Sequence, residues 1–449
     1  MIVNVAGAGA GKTTKMADVI LNHEIPECKV VFCVAFTNAA ADNIRKKVAD
    51  INGVIPSNII ISTIHSFLYQ EIVEPYFWLL YRKHFKSLST IDLPTEQVYK
   101  ASRISELEKE DILHITQIPE KAKWVVYKKS GDTKRVKEIR KRVISYFQNY
   151  CEAIFVDEAQ DISKDIYLTL CALDKESINI TLFGDPKQDV KGYGNFQRIL
   201  DSSEEVTYHS ECYRCPQKHL NLSNRLANGN EVQIADGKNK IGNIQCVFES
   251  DIDDLKKYIN SNGFELCYIS HKMERFETHS KSLIDNRFET LQFEVKCAIS
   301  KKWGNTLEEI EIARGAYSVT EKMLNEYDAK GNVQKIISFW VEKGAFNRLE
   351  KEQYARMISA FSLINEPTNN NVVVSSIEII KGLEADNCLF ILTTDLAPYF
   401  FLKKGEDNKT KHLLYVALTR SRDELTILIT KEVEKKYTRE MINGYFSKV

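Results

Sequence analysis

An α/β architecture with parallel sheets is the fold class this sequence predicts. The first observation is a set of short, apolar, β-branched runs at 3–6, 30–36, 59–62, 153–157, 179–183, 266–270, 372–376, 388–392 and 425–429. They are continuous rather than alternating, as expected of strands buried on both faces. The second is that longer helix-patterned stretches separate them, the sign of a doubly wound arrangement. The third is their grouping, one set before about residue 210 and one after about 240, in a chain of 449 residues. At roughly 100–200 residues per domain, that length fits two lobes with additions.

Taken in chain order, strand 3–6 runs into a small-residue loop that opens a helix to about Leu21. Strands 30–36 and 59–62 follow. The stretch 69–148 shows no strand series and is rich in Lys, Glu, Tyr and Ile, so a helical insertion is expected there. Strand 153–157 ends in paired carboxylates, and 179–183 leads into Gly184-Asp185-Pro186-Lys187-Gln188. In the second group, 274–365 is again helix-patterned, notably at 306–316 and 350–364, and Pro367 with Asn369-Asn370-Asn371 marks the return loop. The expected division is a first lobe of 1–68 and 149–208, an insertion 69–148, a second lobe of 209–273 and 366–449, and an insertion 274–365.

Composition narrows the function classes. Hydrophobic residues make up 43% and charged residues 27%, which excludes a disordered tail or a fibre. Lys and Arg number 61 against 62 Asp and Glu, so there is no globally basic nucleic-acid coat, though a local patch is allowed. No apolar run approaches the ~18 residues of a membrane span. Met1-Ile2-Val3-Asn4-Val5 lacks the basic start of a secretory signal. A cytoplasmic protein with no membrane partner is expected. The ten cysteines then read as reduced thiols. Cys212 and Cys215 form the only Cys-x-x-Cys, and with no second ligand pair they read as two unrelated thiols.

The chemistry begins at Ala6-Gly7-Ala8-Gly9-Ala10-Gly11-Lys12-Thr13, with Thr14 behind it. This is the P-loop pattern with Ala in the first Gly position. Small residues let backbone N–H groups converge on phosphate oxygens, and the helix N-terminus adds partial positive charge. Lys12 would neutralise the β- and γ-phosphates, and the Thr13 hydroxyl would go to Mg²⁺. Asp157, at a strand end, suits Mg²⁺ held through water, and Glu158 is placed to orient or deprotonate an attacking water. Asp161 either shares that chemistry or caps the next helix. Positive charge is also needed on the transition state, and composition alone does not select which arginines supply it.

The motif order resembles superfamily 1 helicases of the UvrD/Rep/PcrA type. Besides 6–13, the matching segments are Val34-Ala35-Phe36-Thr37-Asn38-Ala39-Ala40-Ala41, Ser62-Thr63-Ile64-His65-Ser66-Phe67 and Asp157-Glu158-Ala159-Gln160. Gly184–Gln188, Tyr213-Arg214, Lys381-Gly382-Leu383-Glu384 and Tyr415-Val416-Ala417-Leu418-Thr419-Arg420 complete them. The resemblance implies two RecA-like P-loop lobes, each carrying a mostly helical insertion, hydrolysing ATP with Mg²⁺ to move 3′→5′ on single-stranded or partly duplex DNA. It implies Gln188 sensing the γ-phosphate, Arg214 and Arg420 as arginine fingers, Tyr213 stacking on the base and Glu384 on the ribose. It implies Phe36, Thr63, His65 and Tyr193 along the strand, where aromatic stacking is sequence-tolerant. The other readings are a core Phe36, a hydrogen-bonded structural His65 and a half-buried loop Tyr193.

Several positions depart from the family pattern. Only five residues precede Ala6, so the usual adenine motif has no place in this sequence. Gly194 stands where relatives carry an Arg, and Glu378 where they carry a DNA-contacting His. A carboxylate there would repel a phosphodiester unless it points away. The insertions are short, and the compact size is similar to the helicase-like subunit of the Gabija anti-phage system, which implies an OLD-family (TOPRIM) nuclease partner. The alternative is a nucleotide- and DNA-sensing regulatory subunit with little unwinding of its own. The window 121–142 adds ten basic residues against two acidic ones, with Trp124 and Tyr127 among them. A DNA-backbone contact is expected, the alternatives being a solvated helix face or an acidic partner.

Overall fold

The computed structural model describes residues 1–279, 287–361 and 372–447. Packing divides them into two units. One holds the described residues of 1–84, 116–280 and 370–449, the other those of 85–115 and 281–369.

The first unit is built on two six-stranded sheets, and every strand pair in them is parallel. The α/β class with parallel sheets is therefore what the chain adopts. The first sheet runs, edge to edge, Ile59–Thr63, Val30–Ala35, Cys151–Val156, Asn179–Gly184, Ile2–Ala6 and Glu205–His209. Its central strands read as continuous apolar runs because both faces are covered. Met16, Ala17 and Ile20 of the helix Lys12–Leu21 join Ala41, Ile44 and Val48 of Asn38–Asn52 over Val31, Cys33, Ala153 and Phe155. On the other face Phe32 meets Phe67, with ring centroids 5.0 Å apart, and Phe147 closes the group.

The second sheet runs Asn243–Phe248, Ser421–Ile429, Ala385–Leu392, Leu266–Ile269, Val372–Ser376 and Phe276–His279. Along Ala385–Leu392 the side chains alternate between two cores. Cys388, Phe390 and Leu392 enter the one that also buries Ala8 and Val190, while Leu389 and Ile391 enter the other. That period of two is the pleat itself.

The stretch 69–148 does not pack as one piece. Residues 85–115 form a two-stranded ladder, Ser87–Ser89 with Ile112–His114, and the helix Gln97–Lys109, within the second unit. The rest of the stretch belongs to the first unit. The second unit also contains the helices Arg287–Trp303, Glu309–Lys330, Val333–Glu342 and Lys351–Phe361, packed around Leu291, Val295, Ala316, Met323 and Phe361. Its buried Arg103 is paired with Glu294, which Arg356 also meets at 3.3 Å. The expected boundary at 365/366 and the return loop at Pro367 lie outside the described residues. Among the described residues, no helix is long and apolar enough to cross a membrane.

Candidate functional site

Parallel strands bring the loops that follow them to one edge of a sheet, which is where α/β sheets hold ligands. Here that edge gathers the loop 6–13, Phe36, Thr63, Asp157 and Asp185, each at or just after a strand end. Gly9 and Gly11 both have φ of +69°, and Gly11 precedes the helix Lys12–Leu21, whose first turn carries no acidic residue. Its free N–H groups are left for an anion. The Thr13 hydroxyl donates to Asp157 Oδ2 at 3.1 Å, while Asp157 Oδ1 accepts the Glu158 N–H at 2.9 Å. Thr14 is exposed.

The carboxylates at this edge are unequal. Burial pushes the Asp157 carboxyl up, and the neighbouring Glu158 charge adds to that. Burial acts on Glu158 too, but Lys12, Lys381, the Gln160 amide and Arg420 outweigh it and hold Glu158 below its usual value. Glu158 also sits at φ +53°, a left-handed conformation unusual for Glu. Asp185 is fully buried. Burial is again outweighed there, by Lys187 first and then Lys12. Gln188 donates its amide to Asp185 Oδ2 at 2.9 Å, so a γ-phosphate would have to win that group from Asp185. Asp161 does not cap the following helix, whose N-cap is Ser163. Its carboxylate holds Lys381 Nζ, 2.8 Å from each oxygen.

The turn after the short strand Glu211–Cys212, which pairs with Ile234–Ala235, lies on the P-loop. Tyr213 N–H donates to Gly9 O at 2.8 Å, and the half-exposed Tyr213 ring passes over Gly11. Arg214 forms an ion pair with Glu384, so the expected finger and the expected ribose contact meet each other. Arg420 is 1% exposed and donates to Val416 O, Leu383 O and Thr419 Oγ1 at 3.0, 3.2 and 3.2 Å. Cys212 and Cys215 are not unrelated. The Cys212 thiol donates to Ala8 O and accepts Cys215 N–H, and the Cys215 thiol donates to Thr419 O, tying the Tyr213-Arg214 turn down on both sides. Motif spacing could not show that, because the partners are distant backbone carbonyls.

Gly9 is required by this closure. A Cβ there would lie 2.4 Å from Arg214 Cβ. With the positive φ added, Gly9→Ala should cost more than about 1 kcal/mol and loosen the 212–214 turn. Urea denaturation reads the first effect, and nucleotide affinity reads the second.

Two groups at this site escaped the sequence reading. Gln233, 1% exposed, donates to Ala8 O at 3.0 Å and accepts the Tyr415 hydroxyl at 2.8 Å, while Tyr415 itself accepts Ala8 N–H at 3.2 Å. Tyr415 lies inside a quoted motif. Gln233 lies in no quoted motif and carries no sequence signal. Lys187 is buried between Asp185 and Glu231, at 3.0 and 3.2 Å.

At the other end of the edge, the expected strand residues converge on a residue not anticipated, Lys191. Its Nζ lies 5.9 Å from the Phe36 ring centroid and 5.8 Å from that of Tyr193. Burial, then the Lys191 charge, lowers the half-buried His65 imidazole. Phe36 is half-buried and Tyr193 is 43% exposed, so neither is a closed core side chain. Thr63 differs. Its hydroxyl caps the helix Ile64–Phe67 by accepting Ser66 N–H and sharing a 2.8 Å bond with Ser66 Oγ. Glu378 is paired with Lys409 at 2.5 Å, which offsets the repulsion expected of a carboxylate there. Gly194 takes φ +62° as the residue before the helix Asn195–Ser202.

The basic window 121–142 is partly consumed by the fold. Lys121 is buried over Trp124, Lys123 pairs with Asp165 at 2.6 Å, and Arg140 pairs with Asp132 at 2.6 Å while bonding the Trp124 and Val125 carbonyls. Lys129 lies 4.1 Å from the Trp124 ring centroid. Lys134, Arg135, Lys137, Lys141 and Arg142 remain exposed on the helix Lys134–Tyr150.

Residues 1–193 match the family model described as an AAA domain. The matched segment includes the P-loop, 157–160 and 184–188, and none of the second sheet. No curated protein matches. Among solved structures, the chain is similar to an arterivirus nonstructural protein 10 (helicase) in complex with DNA, at 10% identity and a TM-score of 0.35 over 95% of this chain. It is also similar to the PRRSV helicase, at 9% identity and a TM-score of 0.36 over 95% of this chain. The chain spans 60% and 52% of those two proteins.

Proposed function

We propose that this protein is an ATP hydrolase of the superfamily 1 helicase type, coupling nucleotide turnover to movement on a single DNA strand. The observation that carries this reading is the Thr13 hydroxyl on Asp157, with Lys12 and Glu158 converging beside it. A hydroxyl and a carboxylate facing each other suit Mg²⁺, which binds one or two protein oxygens and takes the rest from phosphates and water. Thr13 and Asp157 would hold the ion, and it would offset charge on the β- and γ-oxygens.

The chain's own residues then have distinct tasks. The N–H groups of 9–13 cradle the phosphates. Lys12 sets their charge against Asp157, Glu158 and Asp185. Glu158, held ionised, orients the attacking water and accepts its proton. Lys381, bound to Asp161, places a second-sheet cation at the edge of the first sheet, beside Glu158. A strand passing Phe36, Lys191 and Tyr193 would stack on the rings and set a phosphate near Lys191.

The test is the ATPase rate with and without single-stranded oligonucleotide, beside Lys12→Ala. Strong, control-sensitive stimulation supports the motor. A control-sensitive rate indifferent to DNA sinks it and favours the regulatory subunit of a partner nuclease, the reading to which Gly194 in place of an Arg lends weight. Tyr193→Ala should weaken oligonucleotide binding by about 1–3 kcal/mol, one stacked base, with nucleotide affinity unchanged.

A further inference from the structure

Apart from the P-loop, a cavity of about 380 Å³ opens between residues 225–228 and 402–405, with Lys411 on its wall. Four cations line it: Arg225, Lys403, Lys404 and Lys411. In a chain of net charge −1, that concentration is not background.

Only Lys411 has a carboxylate among the described residues, Asp407 at 3.1 Å. Asp407 is shared, because His412 Nε2 also reaches it at 3.3 Å. The His412 bond first, and Lys411 after it, hold the Asp407 carboxyl down at about 2. Arg225 lies 5.2 Å from the Tyr445 ring centroid, and Lys403 and Lys404 are exposed. None of these three forms an ion pair among the described residues. The exposed Glu406 adjoins the site without pairing with them. The loop that carries the two lysines is fixed. Leu402 turns at φ +55°, and the N–H groups of Lys403 and Lys404 both donate to Pro398 O, at 2.7 and 3.1 Å.

This cavity is joined to the loop that carries Lys191 and Tyr193. Lys411 and His412 share Asp407, and His412 Nδ1 bonds Asp189 O at 2.9 Å. The Asp189 carboxylate accepts the N–H groups of Tyr193 and Gly194 at 3.1 and 2.7 Å. Lys409, one turn-start away from Lys411, lies against Gly192. The two places are parts of one hydrogen-bonded body.

We propose that the cavity binds a phosphodiester group of the strand that crosses Phe36, Lys191 and Tyr193, an inference that rests on the functional reading above. A guanidinium fork and lysine point charges are the donors that phosphate recognition uses. Two exposed lysines at the mouth suit a chain passing over it more than an enclosed small anion.

The test is the anisotropy of a fluorescein-labelled oligothymidylate titrated with wild type and with K403Q/K404Q, between about 50 and 200 mM salt. Both lysines are exposed, so the variant should fold. The slope of log affinity against log salt should fall by about 1.4, two contacts at roughly 0.7 each. An unchanged slope and affinity would overturn the assignment while wild-type binding keeps the functional reading standing. Wild type that binds no oligonucleotide would overturn both. Unchanged oligonucleotide binding, with loss of thermal stabilisation by inorganic phosphate, would make this a small-anion site and overturn the strand assignment. R225Q should lower the slope by a further ~0.7.

Discussion

Glu158→Gln is expected to lower the turnover number for ATP by roughly 10²–10⁴-fold, the usual contribution of a positioned general base. Nucleotide affinity should stay within a few fold, because the amide keeps the side chain's shape and its place beside Gln160. The change touches a group that Lys12, Lys381 and Arg420 all hold in its ionised form. Removing that charge takes away the proton acceptor and leaves the P-loop, Thr13 and Asp157 as they are. The variant should stay folded but lose a little stability, because Lys12 and Lys381 outweigh the burial of Glu158 and the folded chain favours its ionised form. Lys12→Ala should differ, losing nucleotide affinity together with turnover, because Lys12 faces Asp157, Glu158 and Asp185 without an ion pair of its own among the described residues. Single-turnover hydrolysis with equilibrium nucleotide binding separates the two. A Glu158→Gln protein that turns over normally would remove Glu158 from the chemistry and leave Asp157 or Asp185 to account for it.

The strands legible in the sequence are those whose two faces are both covered. Residues 30–35, 153–156 and 388–392 are continuous apolar runs because each lies between two layers. The strands that escaped are at the edges. Glu205–His209 closes one side of the first sheet, and Asn243–Phe248 and Phe276–His279 close both sides of the second. An edge strand needs only partial burial, so Glu205-Val206-Thr207-Tyr208-His209 and Asn243-Ile244-Gln245-Cys246-Val247-Phe248 carry polar residues that break the run. Ile59–Thr63 is the edge strand that stayed legible, since three isoleucines begin it.

The site divides in the same way. The P-loop and Asp157–Gln160 are local in sequence, so spacing alone exposes them. Gln233 reaches Ala8, Lys381 reaches Asp161 and the Cys212 thiol reaches Ala8, each across a gap that only the packed lobes close. The window 121–142 shows the opposite error. Counting charges there overstates the free patch, because Lys121, Lys123, Lys129 and Arg140 turn their charges onto Trp124, Asp165 and Asp132.

Arg420 and Arg214 carry the same expected role but should fail differently when removed. Arg420 is a buried cation with no carboxylate partner among the described residues. Three acceptors, two of them backbone carbonyls, take its donors. Burial, then the nearby Arg214 charge, works against its ionised form. Arg420→Ala leaves a large void and strips Leu383 O of its guanidinium donor. Charged hydrogen bonds of this kind are worth about 1.5–3 kcal/mol each, so a loss of roughly 3 kcal/mol is expected in urea denaturation. Arg420→Lys should not restore it, because one ammonium cannot span Val416 O, Leu383 O and Thr419 Oγ1 as the planar fork does. Arg214 is partly exposed and paired with the half-exposed Glu384, so Arg214→Ala should cost less than about 1 kcal/mol. Its turnover should nevertheless fall by about 10³-fold or more if its guanidinium meets the transferred phosphoryl group. Arg420→Ala that is as stable as wild type would mean that its carbonyl bonds do not hold the turn between Leu418 and Ser421. Arg214→Ala with undiminished turnover would leave Arg214 as no more than the partner of Glu384.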